Sequence, residues 1–363
     1  KILRKFKGVD LIGVKYNQLM NYDVPKNGNA FLVIAADFVT TEDGTGIVHI
    51  APSFGSDDNH VAKLNNIGSL TLVDKYGKFK EVVTDFAGKY VKDSYYEEGE
   101  RKDKLDVDTQ ISIKLKKENK AFLVQKYEHS YPHCWRTDKP ILYYPLDSWF
   151  IKTTAFKKKM SDLNKTINWK PKSTGKGRFG NWLENLVDWN LSRSRYWGVP
   201  IPIWRSKDGN HEKCIGSIEE LKEEIDLSIG FNIMKINPLN EFIVGDFSDK
   251  NYNIFDLHKP YVDDIVLCTD NGKTRLFREL DLIDVWFDSG AMPYAQLHYP
   301  FENYNYFKEN FPADFIAEGV DQTRGWFFTL HAIATIIFDS VAFKNVISVS
   351  YTHLTLPTIC RCR

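Results

Sequence analysis

At 363 residues, 43% hydrophobic and 14% aromatic, the chain has enough apolar material for two or three packed domains, which excludes an extended disordered polymer. Its 48 basic and 48 acidic side chains cancel, so no global basic field announces nucleic acid, and any such contact must come from local patches. Five cysteines without paired spacing exclude a disulfide framework, no signal-peptide pattern opens the chain, and the longest apolar stretch, Gly325 to Phe338, is too short to span a bilayer. A soluble, cytoplasmic protein with no membrane partner is expected.

Residues 1–135 read as β-rich with helical insertions. Ala30 to Ala36 is an apolar run, Asp43-Gly44 a turn signal, and Gly46 to Ile50 the next strand. A loop from Ala51 to Asp58 follows. Asp57 and Asp58 have two readings: a helix cap ahead of Asn59 to Ala62, or carboxylates offered to a ligand. His49 is either a strand residue with a satisfied ring or a group that orients water near neutral pH. Between Lys102 and Lys120, Ile111, Ile113 and Leu115 alternate as in a strand, and a short helix fits equally well. Phe122 to Val124 reads as a strand. His133 and Cys134 are adjacent, a hint of zinc that no second Cys-x-x-Cys supports.

Thr154 to Leu163 carries Phe156, Met160 and Leu163 at helical spacing, and Phe179, Trp182, Leu183 and Leu186 form a second amphipathic helix. Lys170, Lys172, Lys176 and Arg178 cluster between them, as a solvated face or as contacts to an RNA backbone. Residues 205–280 look like an insertion. Ser217 and Glu220 make a capping box for a helix through about Ile225. His211, Cys214 and the distant Cys268 do not add up to four zinc ligands.

The stretch from Glu279 to Phe328 organises the rest. Leu282, Ile283, Val285, Trp286 and Phe287 have the length of a buried strand that stops at the turn signal Asp288-Ser289-Gly290. Phe315 to Ala317 reads as another buried strand, Glu318 to Asp321 as a turn, and Gln322 to about Phe338 as a helix. A strand, a tight turn and a helix start are where open α/β sheets bind nucleotides. Gly319 lets the backbone approach a ligand, Glu318 and Asp321 can accept from ribose hydroxyls or an amine, and Gln322 can donate and accept. Trp286 and Trp326 add two apolar walls. The plainer reading is a buried strand, an acidic loop and two core tryptophans.

Residues 284–290 (DVWFDSG) and 318–327 (EGVDQTRGWF) resemble the second half of the catalytic domain of the isoleucyl-tRNA synthetase family, within the class I aminoacyl-tRNA synthetases. Residues 188–204 (DWNLSRSRYWGVPIPIW) resemble the same family's re-entry into that domain, and 44–52 (GTGIVHIAP) its editing domain. The resemblance implies an α/β protein in which a β-rich editing domain, here partial, is inserted in a Rossmann-type catalytic domain, here its second half. On that reading 1–135 is the editing domain without its amino-terminal part and 136–204 the return to the catalytic domain. Residues 205–280 are a smaller insertion and 281–349 the second catalytic half. The final 350–363, with two of the five cysteines and no acid, are expected to be a non-native tail.

The resemblance also implies the chemistry. ATP, with Mg2+, and isoleucine would form an enzyme-bound adenylate, and the acyl group would pass to tRNA(Ile), with no side-chain nucleophile. Glu318, Gly319, Asp321 and Gln322 would lie at the adenylate's ribose and phosphate, with Trp286 and Trp326 walling the isoleucine side chain. Asp58 would hold the α-ammonium of a mischarged valine at the editing site, with His49 lining the same pocket. Editing answers a physical limit: one methylene in an apolar pocket is worth only about 1–3 kcal/mol, and the isoleucyl enzymes are themselves the standard illustration of it. The family's threonine-rich editing segment, its His-Ile-Gly-His motif and its Lys-Met-Ser-Lys-Ser loop are expected to lie outside this chain, which would leave it inactive in aminoacylation alone. The competing readings are a tRNA-binding module without catalysis and a free-standing aminoacyl-tRNA deacylase.

Overall fold

A computed structural model describes residues 4–42, 45–100, 103–126 and 128–350. The Asp43-Gly44 turn, Lys102 and the tail from 351 onward lie outside the described residues. The chain divides into two compact units, Lys1–Asp147 and Ser148–Arg363, a boundary later than the expected 135.

The first unit differs from the β-rich expectation. Its described residues hold two α-helices, α1 (Ser56–Leu64) and α2 (Val107–Lys117), and isolated bridges such as Lys15 with Leu32 and Val73 with Phe79, but no multi-residue strand. The run Ala30 to Ala36 pairs only locally, because Phe31 adopts a left-handed φ of 55° that breaks an extended ladder. Ile47 and Val48 are exposed, as are Phe122 and Leu123, with no ladder partner among the described residues. A strand forms only where a second backbone takes its N–H and C=O groups. The 102–120 ambiguity resolves as helix: Asp106 caps α2 by accepting from the Thr109 N–H, and Val107 and Ile111 face a small core with Val83 and Phe86.

In the second unit, β1 (Phe150–Ile151), α3 (Lys157–Asn164), β2 (Asn168–Lys170) and α4 (Gly180–Glu184) come first, then β3 (Trp189–Asn190) and β4 (Ser192–Arg193). Met160 and Phe156, and Phe179, Leu183 and Leu186, turn inward as their spacing predicts. An inserted module follows, with β5 (Ile203–Arg205), β6 (Glu212–Cys214), α5 (Ile218–Gly230), α6 (Asp249–Tyr252), β7 (Val266–Cys268) and β8 (Arg275–Arg278). Its antiparallel sheet, in the order β6-β5-β8-β7, packs with α5 around Trp204, Leu221, Ile225, Leu267 and Leu276. Half of the expected capping box forms: Ser217 accepts from the Glu220 N–H, while the Glu220 carboxylate reaches back past Ser217 to the Gly216 N–H at 2.7 Å.

The chain then closes with β9 (Leu282–Ile283), α7 (Val285–Ala295), α8 (Tyr304–Asn310), β10 (Ala313–Gly319), α9 (Trp326–Phe338) and β11 (Phe343–Val349). β10 and β11 are parallel neighbours joined through α9, and β2 extends the sheet beside β11, in the order β10-β11-β2. Parallel strands joined through a helix are the unit of a doubly wound α/β domain. The apolar run Gly325 to Phe338 is thus the buried crossover helix, with Phe327 to Thr335 all inside; among the described residues no helix is long and apolar enough to cross a membrane.

Three local elements differ from expectation. The apolar run after Leu282 is not a strand through Phe287, because the Asp284 carboxylate accepts from the Trp286 N–H and starts a helix that takes in Asp288, Ser289 and Gly290. β10 runs through Glu318 and Gly319, a 3-10 turn occupies Val320–Arg324, and α9 begins at Trp326 rather than Gln322. β10 is also an edge strand, with Phe315 56% exposed, rather than a buried one. Glycines set the closest approaches beneath it. A Cβ at Gly290 would lie 2.9 Å from that of Thr329, so α7 meets α9 nearly backbone to backbone, and one at Gly175 would lie 2.3 Å from the Trp169 ring.

His331 sits fully buried on α9, its Nε2–H donating to the Met160 carbonyl at 2.9 Å while Nδ1 has no partner. Burial depresses its pKa to about 4, with the Met160 bond opposing weakly. The folded state therefore disfavours the imidazolium. Stability should be full above the ordinary histidine pKa of about 6.5 and fall as pH drops toward 4, by on the order of 3 kcal/mol. Urea titrations of His331→Leu and the parent across pH 4 to 7 check this: the variant should lack that histidine-linked slope.

Candidate active site

The site is built where β9, β10, α7 and α9 meet. Asp284 is 3% exposed, and its Oδ2 accepts from Arg193 Nη2 at 2.7 Å and from Trp189 Nε1 at 3.1 Å while Oδ1 caps α7. Trp286 follows two residues on. Its ring edge comes within 3.3 Å of where a Cβ at Gly325 would stand, so the absence of a side chain there admits the indole. Trp326 lies next in sequence, half-buried, with Nε1 donating to the Ser289 carbonyl at 2.9 Å, which ties the first turn of α9 to α7.

The polar residues expected here are brought together, and they partly satisfy one another. Gln322 Oε1 accepts from the Trp326 N–H at 2.9 Å, capping α9, and its Nε2 donates to Asp321 Oδ2 at 3.1 Å. Asp321 folds back over Gly319, where a Cβ would stand 2.4 Å from Oδ1. Glu318 is exposed at the carboxyl end of β10, opposite Ser348 of β11 in the parallel register. The surface thus offers acceptors at a strand end and an indole face, a combination suited to a ribose and a compact apolar group, while the backbone at Gly319, expected to lie open to a ligand, is covered by the Asp321 carboxylate and that at Gly325 by Gln322 Oε1 and the Trp286 ring. Asp288, on the next turn of α7, has its carboxyl pushed up by partial burial and by the neighbouring Asp284 charge, against a smaller opposing effect of His258.

Sequence reasoning missed several supports. Arg178, from the basic cluster, donates through Nε to Thr323 Oγ1 at 3.1 Å, and Thr323 donates to the Val320 carbonyl at 2.7 Å, pinning the 3-10 turn. Arg324 lies over the Trp182 ring at 5.2 Å. Nothing in the local sequence pairs Arg178 with Thr323. Asp284, by contrast, was visible as the first residue of its string, with its role unread.

The other predicted residues lie in the first unit. Asp58 occupies the first turn of α1 without capping it; the N-cap is Gly55, and Asp58 Oδ2 accepts from the Ala51 N–H at 3.0 Å. His49 is exposed, and no hydrogen bond joins it to Asp58. A groove of about 560 Å³ in the same unit is lined by residues 23–28 and 66–71 with Lys80 and Val82, and by neither of them. For zinc, no group of three His, Cys, Asp or Glu able to hold a metal occurs among the described residues. Cys214 on β6 and Cys268 on β7 lie at opposite edges of a four-stranded sheet and are also offset along the strands, so strand spacing alone puts them at least about 14 Å apart, too far to share an ion.

Because Gln322 caps a buried helix, Gln322→Ala should cost about 1 kcal/mol in stability, measured by chemical denaturation, whatever it does to ligands. An unchanged midpoint would show the cap to be dispensable.

Comparison with known proteins places the chain in a family. The profile described as tRNA synthetases class I (I, L, M and V) matches residues 22–354. The chain is 64% identical over 367 aligned residues to an isoleucine–tRNA ligase of Cytophaga hutchinsonii, covering 96% of this chain and 32% of that protein. It is 55% identical to one of Bacteroides fragilis, covering 96% and 33%, and 44% identical to one of Clostridium novyi, covering 96% and 30%. The chain thus spans about a third of the length of these relatives. A solved ternary complex of Agrobacterium radiobacter K84 agnB2 LeuRS with tRNA and LeuAMS aligns with 48% of this chain and 22% of its own at 15% identity and a TM-score of 0.29, too distant to carry an argument. With a family profile matched across most of its length and a parallel β10–α9–β11 unit bearing the matching residues, the chain belongs to the class I tRNA synthetases of the isoleucyl, leucyl, methionyl and valyl group.

Proposed function

We propose that this chain is part of an isoleucine–tRNA ligase, contributing one side of the adenylate site and part of an editing site. The observation that carries the reading is the packing of Trp286 against Gly325 at the start of α9, beside Glu318 and Asp321 at the end of β10. In this scheme the isoleucine side chain lies against Trp286 and Trp326, and Glu318 and Asp321 accept hydrogen bonds from the adenylate ribose. Gly319 makes room for the Asp321 carboxylate and Gly325 for the Trp286 ring, and Gln322 holds the helix start still. ATP enters as substrate with its own Mg2+. The residues named do the work of orientation, and acceleration comes from holding isoleucine's carboxylate in line with the α-phosphate as pyrophosphate leaves. The partner in the second step is tRNA(Ile).

For editing, Asp58 would hold the free α-ammonium of a valyl ester through charge-assisted hydrogen bonds, with Oδ1 available while Oδ2 is engaged by Ala51. His49, exposed on the same segment, would orient the attacking water or terminal ribose.

Two measurements on a full-length synthetase carrying this sequence test it. Trp286→Ala should raise the KM for isoleucine about tenfold or more in ATP–pyrophosphate exchange and leave that for ATP within about twofold; equal effects on both substrates would sink the pocket assignment. Asp58→Ala should slow Val-tRNA hydrolysis by about ten- to a hundredfold, the worth of a charge-assisted bond, without slowing isoleucine charging. Undiminished hydrolysis would remove Asp58 from the editing site.

A further inference from the structure

We propose that Asp284 is a positioning residue for amino-acid selectivity: its buried carboxylate fixes the first turn of α7, and through it the Trp286 ring against which isoleucine is sorted from valine. The inference rests on the reading of Trp286 as a wall of the isoleucine pocket.

Asp284 is held on every side. Its carboxylate takes Arg193 Nη2 at 2.7 Å, Trp189 Nε1 at 3.1 Å and the Trp286 N–H at 3.3 Å. Its own N–H donates to the Leu191 carbonyl at 2.8 Å, and its carbonyl accepts from the Phe287 N–H at 2.7 Å. Three of these partners come from β3, β4 and the residue between them, one crossing before the inserted module, and two from α7. The residue therefore clamps the beginning of α7 to a segment more than ninety positions away in sequence, since Arg193 and Asp284 are 91 apart and Trp189 and Asp284 are 95 apart.

Trp286 has no comparable anchor. The residue is 41% exposed, its indole N–H has no hydrogen-bond partner among the described residues, and its ring edge occupies the space a Gly325 side chain would take. What sets the ring's position is the backbone at 284–286 and the contact with Gly325. A small rotation of that first turn would move the wall by tenths of an ångström, and tenths matter where the ligands differ by one methylene. Asp284 touches no substrate and acts through Trp286. Replacing it by asparagine keeps the shape but removes the charge, leaving Arg193 without its counter-ion.

A double-mutant cycle in the full-length synthetase tests this, with isoleucine- and valine-dependent ATP–pyrophosphate exchange as the readout. Asp284→Asn should raise the isoleucine KM about tenfold, narrow the isoleucine-to-valine ratio of kcat/KM, and leave the ATP KM within about twofold. In a Trp286→Ala background the same change should leave that ratio where Trp286→Ala alone puts it. An unchanged ratio in Asp284→Asn, or additive effects in the double variant, would overturn the inference and return Asp284 to a purely structural role. If Asp284→Asn fails to fold, Trp189→Phe, which removes one hydrogen bond and keeps an aromatic ring against Phe287 and Phe328, carries the same cycle with a smaller expected loss of ratio. A Trp286→Ala variant with an unaltered isoleucine KM would instead show that the pocket reading has failed, and this inference with it.

Discussion

The second unit depends on one buried carboxylate. Taking Asp284 out of water is costly, and the cost is offset only because three donors converge on it: a guanidinium, an indole N–H and a backbone N–H. Those donors belong to chain segments separated by the whole inserted module. The ion pair therefore fixes where the chain re-enters after the insertion, and its cap on α7 fixes the direction of that helix. Since α7 lies on α9 through Gly290, and α9 is the crossover between β10 and β11, the parallel sheet and the candidate site inherit their alignment from it.

Around that anchor, space is made by missing side chains. Gly290 brings two helices together, Gly325 admits the Trp286 ring, Gly319 admits the Asp321 carboxylate, and Gly175 lies under the Trp169 ring. In each case a single methyl would intrude on a neighbour, and in a close-packed interior the neighbour has little room to give. The polar groups of the site are meanwhile bonded to one another. Gln322 holds both the start of α9 and the Asp321 carboxylate, so the surface is organised before any ligand arrives. Preorganisation of this kind lowers the cost of binding and keeps dipoles aimed where charge will develop. Glu318 is the exception, exposed at the strand end with its acceptor face toward solvent.

The first unit is built differently. Its core is a small cluster around Val83, Phe86 and Val107, and much of the remainder is held by turns, isolated bridges and surface ion pairs such as the Asp85–Lys114–Glu118 chain. Tyr22 joins that chain by donating to Asp85 at 2.6 Å; burial and the carboxylate together push its hydroxyl up to about 12. Exposed pairs of this sort contribute little each and weaken with salt. Asp58 and His49 sit on this lightly packed unit, in contrast to the locked residues around Asp284.

The sequence by itself determined the family, the apolar crossover helix, the capped helix of the inserted module and the set of residues at the end of β10. These are local matters: periodicity, caps and short strings carry them because neighbours along the chain are also neighbours in space. Tertiary structure decided that Asp284 starts a helix instead of continuing a strand, that β10 is an edge, and that Gln322 serves α9 as a cap. It also decided that Arg178 leaves the basic cluster to hold Thr323, that the run at Ala30 pairs only through the isolated Lys15–Leu32 bridge, and that the run at Gly46 finds no ladder partner among the described residues. Each of these depends on which distant backbone or side chain comes alongside. An apolar run fits a helix or a strand equally well until a carboxylate 91 residues from its arginine, or the lack of a second strand, settles which of the two can satisfy its N–H groups.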